Sequence, residues 1–363
     1  MTDLFHPLCG SNLKTLLTLL TTNGGIAPNR LPQTAIALAF TLVRLPFSTT
    51  ERLLVNSTRN QREPIKAPIF IVGYWRSGTT HLHNILSQDK AFGYISPLAT
   101  GLPWDILGIV RTLQPLLEKA LPSDRYIDNV AVKPNSPQED SIALASMIPV
   151  SYYHGLYFPK RFQHHFSRGV FFDGCTVEEI EQWRTGHIHL LEKVAIHQQN
   201  KRLILKNPVY TAHIAKLRSI WQDAKFIHIY RNPYVVFKST QHFFNCLLEE
   251  LSLQTWDHIP IDDLILASYP RMMNALEADK ANLLADGFVD VRFEDLEENP
   301  MREIERIYQT LKLPGFEETR PEFETYLASV KKYQKNAYVF DTQSMERVKS
   351  HWGSFIKRLG YEG

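Results

Sequence analysis

Cysteine is scarce in this 363-residue chain: Cys9, Cys175 and Cys246 stand far apart, with no CxxC pair. Neither a disulfide framework nor a cysteine-based zinc site is supported, and a reducing compartment is expected. Net charge is scarce too. Forty Lys and Arg face 38 Asp and Glu, a formal +2, and so slight an excess excludes a surface built to wrap nucleic acid. Internal repeats and low-complexity tracts are missing. Asp3 takes the place of a basic leader region and no small-residue cleavage site follows a long apolar run, so no secretory signal is expected. The one run to weigh is Thr34 to Val43 (TAIALAFTLV), between Pro32 and Arg44. It has about half of the roughly 20 residues that span a bilayer. It reads as a buried core helix or, because Leu45, Phe47, Leu53 and Leu54 carry the apolar character past the break at Pro46, as a surface-lying membrane anchor. With 44% hydrophobic and 21% charged residues, what is left reads as a packed cytoplasmic chain with ample core, and peripheral membrane contact through this segment stays open.

Residues 1–63 read as an N-terminal helical extension and 64–363 as the main domain. Leu13, Leu16, Leu17, Leu19 and Leu20 put an apolar stripe on a helix that Asn23-Gly24-Gly25 ends. Past Pro64 the pattern changes to Ile69-Phe70-Ile71-Val72, the uninterrupted apolar run of a strand buried on both faces. Leu203-Ile204-Leu205 before Lys206, Phe226 to Tyr230 before Arg231, and Val289 to Phe293 before Glu294-Asp295 repeat it. Strands alternating with helices predict an α/β, P-loop-like three-layer sandwich around a central parallel sheet. In such sheets the ligand lies outside the carboxyl ends of the strands, which aims Lys206, Arg231 and the loop bearing Arg76 into one crevice. Residues 92–200 read as a helical insertion that covers the crevice and meets the substrate.

Gly73-Tyr74-Trp75-Arg76-Ser77-Gly78-Thr79-Thr80 follows the first strand and runs into a helical pattern. A loop of this kind converges backbone N–H groups and the positive end of a helix dipole on one anion. The Gly-x4-Gly spacing matches a Walker A loop, yet Thr79-Thr80 stands where a phosphate-transferring enzyme needs Lys followed by Ser or Thr. The cation has moved inside the loop, to Arg76. The strand that would end in a Walker B aspartate ends in Arg231, so a Mg²⁺ ion lacks its usual carboxylate and no metal is expected. A singly charged sulfuryl group suits Arg76, Lys206 and the loop N–H groups of Ser77, Gly78, Thr79 and Thr80. The same theme recurs at Phe226 to Ser239: strand, Arg231 at its tip, Pro233 to open a helix, and Ser239 further along it. An arginine clamps a phosphate through two parallel hydrogen bonds and a serine hydroxyl adds another, so two anion sites imply a ligand phosphorylated at two places.

Together, Tyr74 to Thr80 and Tyr230-Arg231-Asn232-Pro233 through Ser239 resemble the PAPS-dependent sulfotransferases, specifically the bacterial-type branch related to tyrosylprotein sulfotransferases. The resemblance extends through Leu205-Lys206-Asn207-Pro208-Val209-Tyr210 and Val291 to Leu296, and so covers about residues 66–300. It implies that the first loop holds the 5′-phosphosulfate of PAPS (3′-phosphoadenosine 5′-phosphosulfate), and that Arg231 and Ser239 hold the 3′-phosphate. It further implies transfer of the sulfuryl group to a hydroxyl or amine, releasing adenosine 3′,5′-bisphosphate.

The attacking hydroxyl must lose a proton, and Glu139, Asp140, His81, His83 and His213 are the candidate bases. In Pro134-Asn135-Ser136-Pro137-Gln138-Glu139-Asp140-Ser141 the resemblance implies an acidic pair at the crevice with Glu139 as base, acting with Arg76 and Lys206. Carboxylates in a first helical turn are also simply stabilised by the dipole, the alternative role for Asp140. His81 and His83 point about 200° apart around a helix, so at most one faces the crevice. His164-His165, His187, His189 and His351 offer no ligand frame for a metal. Glu294-Asp295 reads as structural, ordering nearby arginines or a helix start. The cytosolic branch closes over the 3′-phosphate with a C-terminal Arg-Lys-Gly run that is missing here; Lys331 to Asn336 or Arg347-Val348-Lys349 either replace it or form a solvated face. For adenine, Trp75 and Tyr338 are the aromatic candidates. Trp104, Tyr152-Tyr153-His154, Tyr157-Phe158 and Phe171-Phe172 favour a small-molecule acceptor that is apolar, aromatic or lipid-like. Two other readings stay open, a nucleotide-binding module without catalysis and an ATP-dependent kinase.

Overall fold

The computed structural model of the chain describes residues 5–331 except 121–123, 126, 127 and 132, together with 338 and 340–362. Its strands are β1 (Ile69–Val72), β2 (Phe92–Gly93), β3 (Asp124–Arg125), β4 (Asp128–Ala131), β5 (Arg202–Lys206), β6 (Lys225–Tyr230) and β7 (Phe288–Arg292). Five of them form one sheet in the order β2-β5-β1-β6-β7, and β3 and β4 make a separate antiparallel pair. β5, β1, β6 and β7 are parallel throughout, with Ile71 opposite both Lys206 and Ile227, and Tyr230 opposite Arg292. This is the predicted central parallel sheet. Every side chain of β1 is buried, and Phe70 stacks on Phe226 at 5.6 Å and meets Tyr210 edge-on at 5.4 Å. Burial on both faces is why these strands lack alternation. The two-residue β2 is too short to leave a pattern in sequence.

The chain divides into two units: residues 67–92, 203–245 and 260–363 contain this sheet apart from its end residues Gly93 and Arg202, and residues 1–66, 93–202 and 246–259 form a mainly helical unit. Helix α3 (Thr79–Leu86) belongs to the first. In the second, α1 (Leu13–Thr22) buries Leu16 and Leu19, and its C-terminal Asn23 donates back to the Leu19 carbonyl at 2.8 Å.

Helix α2 (Leu31–Ser57) departs from the expectation of an apolar core helix. The residues it buries include Gln33, Thr41, Arg44 and Glu51, whereas Leu42, Val43, Phe47, Leu53 and Leu54 are exposed. Two buried charge pairs account for this orientation. Arg44 Nε donates to Asp105 Oδ2 at 2.9 Å, and its terminal nitrogens reach the carbonyls of Cys9 and Gly10. Glu51 meets Lys193 Nζ at 2.6 Å and accepts the N–H groups of Leu107 and Gly108. Breaking one partner of such a pair strands a buried charge and costs about 3–5 kcal/mol, more than exposing a leucine. α2 also runs on through Pro46, read in sequence as a break, because Arg44 and Glu51 anchor the same face on either side of it.

Histidines are buried in both units. Burial pushes His83 down to about 3, helped by the charge of Lys206, and holds His6 and His154 at about 4 and His187 and His189 at about 3. The unfolded chain protonates these imidazoles below about pH 6.5 whereas the folded chain does not until far lower, so stability present above pH 6.5 is lost as pH falls. Each histidine removes on the order of 1 kcal/mol by about pH 5.5. Calorimetric melting should therefore show a steep drop in Tm between pH 7 and pH 5; an unchanged Tm over that range would contradict the neutral buried state.

Candidate active site

Elementary geometry sets the site at the C-terminal edge of the sheet. Because β1, β5 and β6 are parallel and in register, whatever follows Val72, Leu205 and Tyr230 emerges along one edge. The loop 73–78, Lys206 and Arg231 are what follow.

Two glycines shape the loop. Gly73 has φ +146°, and a Cβ there would lie 2.3 Å from the Ile229 carbonyl oxygen, so the chain leaves β1 pressed against β6. Gly78 has φ +102°, and a Cβ would lie 2.2 Å from Cδ2 of Phe293. Between them Arg76 takes a left-handed φ of +66°, a conformation unfavourable to a residue with a Cβ. The flanking aromatics hold it there. Tyr74 and Trp75 are both buried, Tyr74 donating or accepting at 2.8 Å with Ser268 Oγ and Trp75 packed on Phe244 at 5.6 Å. The Gly73 N–H donates to Thr211 Oγ1 at 2.8 Å, and Thr240 Oγ1 donates to the Trp75 carbonyl at 3.2 Å. α3 starts at Thr79, directly behind Gly78.

β5 and β6 end in the same device, a cation followed by Asn-Pro. Asn207 Oδ1 accepts the Val209 N–H and Asn232 Oδ1 accepts the Tyr234 N–H, both at 3.0 Å. Each asparagine thus caps the helical turn that its proline opens, at Pro208–Ala212 and at Pro233–Leu251. The turn fixes where Lys206 and Arg231 leave the sheet. Lys206 is buried. The Arg231 guanidinium lies 4.3 Å from the centroid of Phe293, the same ring that meets Gly78. Burial lowers the pKa of Arg231; Glu297 and Glu294 counter this, and the nearby charge of Arg76 adds to it.

Ser239 joins what the sequence presents as two separate anion sites. Its hydroxyl receives a hydrogen bond from Arg76 Nε at 3.0 Å and lies 2.9 Å from the Tyr338 hydroxyl. Arg76, Ser239 and Tyr338 thus form one polar chain beside Arg231. Of the two aromatic candidates for adenine, Trp75 is enclosed in the core and Tyr338 is half-buried beside Ser239. Of the basic segment 331–336 only Lys331 falls among the described residues. Arg347 is paired with Asp262 and Asp263 at 3.2 and 2.7 Å. Glu294 accepts the Asn232 N–H at 3.1 Å and so braces the Arg231 corner.

Among the candidate bases, His83 is in the core with Nε2 3.2 Å from the Ile204 carbonyl, and His213 is buried at a helix start. Glu139 belongs to the helical unit. It stands just before the helix Asp140–Ala145, makes no side-chain capping bond, and accepts the Ser141 hydroxyl at 3.2 Å. The Gln138 N–H donates to the Ile95 carbonyl at 2.9 Å and pins the segment. Burial, then Tyr152 and Glu139, push the Tyr153 phenol well up, which places the Glu139 charge near that ring. Asp140 is fully buried with His187 Nδ1 at 3.9 Å. Among the described residues no three His, Cys, Asp or Glu side chains are placed to hold a metal ion.

A profile of the sulfotransferase family matches residues 68–318, and the chain belongs to that family. It is 31% identical over 295 residues to omega-hydroxy-beta-dihydromenaquinone-9 sulfotransferase Stf3 of Mycobacterium bovis, covering 81% of this chain and 75% of the relative. The fold is similar to the crystal structures of sulfotransferase STF9 from Mycobacterium avium (TM-score 0.70, 17% identity, 94% and 89% of the two chains) and sulfotransferase STF1 from Mycobacterium tuberculosis H37Rv (TM-score 0.59, 20% identity, 94% and 91%). The protein is a sulfotransferase, in agreement with the sulfuryl group expected from the loop.

Gly73→Ala tests the loop. The added methyl meets a backbone oxygen that cannot rotate away, so denaturant melts should show a loss of about 2 kcal/mol or more together with lost activity. A variant as stable and active as wild type would show that the close approach of β1 and β6 is not required.

Proposed function

We propose that this sulfotransferase takes its sulfuryl group from PAPS and delivers it to the hydroxyl of a lipid-like acceptor. The observation that carries the donor reading is the arrangement at one sheet edge of two basic sites linked by Ser239, one at a glycine-bounded loop and one at Arg231. That pair suits a nucleotide with a 5′-phosphosulfate and a 3′-phosphate. The loop N–H groups of Ser77 to Thr80 and the Arg76 guanidinium hold the first; Arg231 and Ser239 hold the second, with Tyr338 available to the adenine.

In the reaction the acceptor oxygen forms a bond to sulfur as the bond from sulfur to the 5′-phosphate oxygen breaks. Glu139 takes the acceptor's proton. Arg76 and Lys206 neutralise the charge that grows on the bridging oxygen and on the departing bisphosphate, with no need of a metal carboxylate. The products are a sulfate ester and adenosine 3′,5′-bisphosphate. The acceptor class rests on the name of the Mycobacterium bovis relative, which acts on an omega-hydroxylated menaquinone, and on the apolar residues of 104–172. An isoprenoid alcohol is the acceptor to try first.

The donor site is tested by thermal stabilisation. A ligand that binds only the folded state adds about 2.7 kcal/mol at 100 times its dissociation constant. Adenosine 3′,5′-bisphosphate should raise Tm and ATP with Mg²⁺ should not, and Arg231→Ala should remove the shift; a shift with ATP and Mg²⁺ alone would return the chain to phosphoryl transfer.

Glu139→Gln tests the base. Turnover with an isoprenoid alcohol should fall roughly 10²- to 10⁴-fold while the bisphosphate shift is kept. Unchanged turnover would remove Glu139 from the chemistry.

A further inference from the structure

Helix α2 is mounted with its polar face inward. From Leu31 to Thr50 its one charged residue is Arg44, and that residue is buried in the pair with Asp105. Outward it presents Phe40, Leu42, Val43, Phe47, Leu53 and Leu54, with Val43 at 72% exposure and Leu53 and Leu54 at 60%. A 27-residue helix is about 40 Å long, so this is a stripe on the scale of a whole domain and not a scatter of single residues. Contiguous exposed apolar surface of that kind marks a contact site.

Charge says which contact. A non-obligate interface with another protein is about as polar as ordinary surface and carries charged residues at its rim. This stripe carries none of either sign until its C-terminal end, where Arg52 is exposed; beyond the helix Arg59 meets Glu192 at 2.6 Å, and Lys66 is exposed, as is Glu63. Over residues 1–66 there are seven Lys and Arg against three Asp and Glu, a formal +4, while the rest of the chain carries −2. An uncharged apolar stripe with a basic margin is the pattern of a helix lying in the headgroup layer of an anionic bilayer. No described helix is long and apolar enough to cross one. The buried pairs Arg44–Asp105 and Glu51–Lys193 give the stripe a fixed mounting, so docking requires no refolding of α2.

We infer that the exposed face of α2 docks this protein onto an anionic lipid surface. The inference rests on the helix alone and stands whatever the acceptor is. Flotation of the full chain with phosphatidylcholine vesicles containing roughly a third phosphatidylglycerol tests it. Wild type should float with these vesicles, less well with pure phosphatidylcholine, and less well in high salt. Val43→Glu with Leu53→Glu should abolish flotation and leave Tm unchanged, because both positions face outward. Ala39→Leu, which adds apolar surface at an exposed position, should strengthen binding roughly three- to tenfold. Wild type that stays with the aqueous fraction, or a glutamate double variant that folds normally and still floats, overturns the inference. So does a wild type that is dimeric in solution and does not float while the double variant is monomeric, since the face would then belong to a second copy.

Discussion

A cation at the end of a strand buried on both faces is the constraint from which the sheet unit of this protein follows. Such a charge cannot turn back into the apolar layer, and it is costly unless an anion or water meets it at the edge. Lys206 and Arg231 are in this position on the two neighbours of β1, and the chain spends an Asn-Pro corner at each to turn away immediately afterwards. The corner keeps the side chain at the edge while the backbone starts a helix. With the loop 73–78 emerging between them, three adjacent strand ends bring Lys206, Arg231 and a glycine-bounded loop to one edge of the sheet, which is where the proposed donor site lies.

The loop itself depends on distances that only glycine permits. Gly73 lets β1 lie against the β6 carbonyl row, and Gly78 lets the start of α3 lie against Phe293. Phe293 then supports the Arg231 guanidinium on the same ring. One aromatic side chain thereby sets the spacing of the loop relative to the second basic site, and Ser239 closes the link through Arg76. Burial lowers the proton affinity of Arg231, the carboxylates of Glu297 and Glu294 counter this, and the charge of Arg76 adds to it. An anion between the two guanidiniums would relieve that repulsion.

Much of this was readable from the residues. The four long parallel strands, their charged tips and the departure of the loop from Walker chemistry all follow from local runs and spacing, because a strand buried on both faces and a glycine-bounded turn are written in consecutive residues. What was not readable is long-range. Thr211, which receives the Gly73 N–H, and Phe293, which touches two motif elements, carry no local signal of their roles. Ser239 was expected as an anion ligand, whereas its bond to Arg76, which spans 163 positions, had no signal in the sequence. Trp75 lies in a motif and is nonetheless a core residue. The orientation of α2 was hidden for a different reason. Periodicity shows that a helix has two faces, whereas which face is covered depends on Asp105 and Lys193, far along the chain.

In the proposed donor site one sheet edge holds a nucleotide by two phosphates. A crystal structure with adenosine 3′,5′-bisphosphate tests it most directly. The 5′-phosphate should lie in the loop between Gly73 and Thr80, and the 3′-phosphate against Arg231 and Ser239. A bisphosphate bound away from these residues, or held with its 3′-phosphate in the loop, would contradict it.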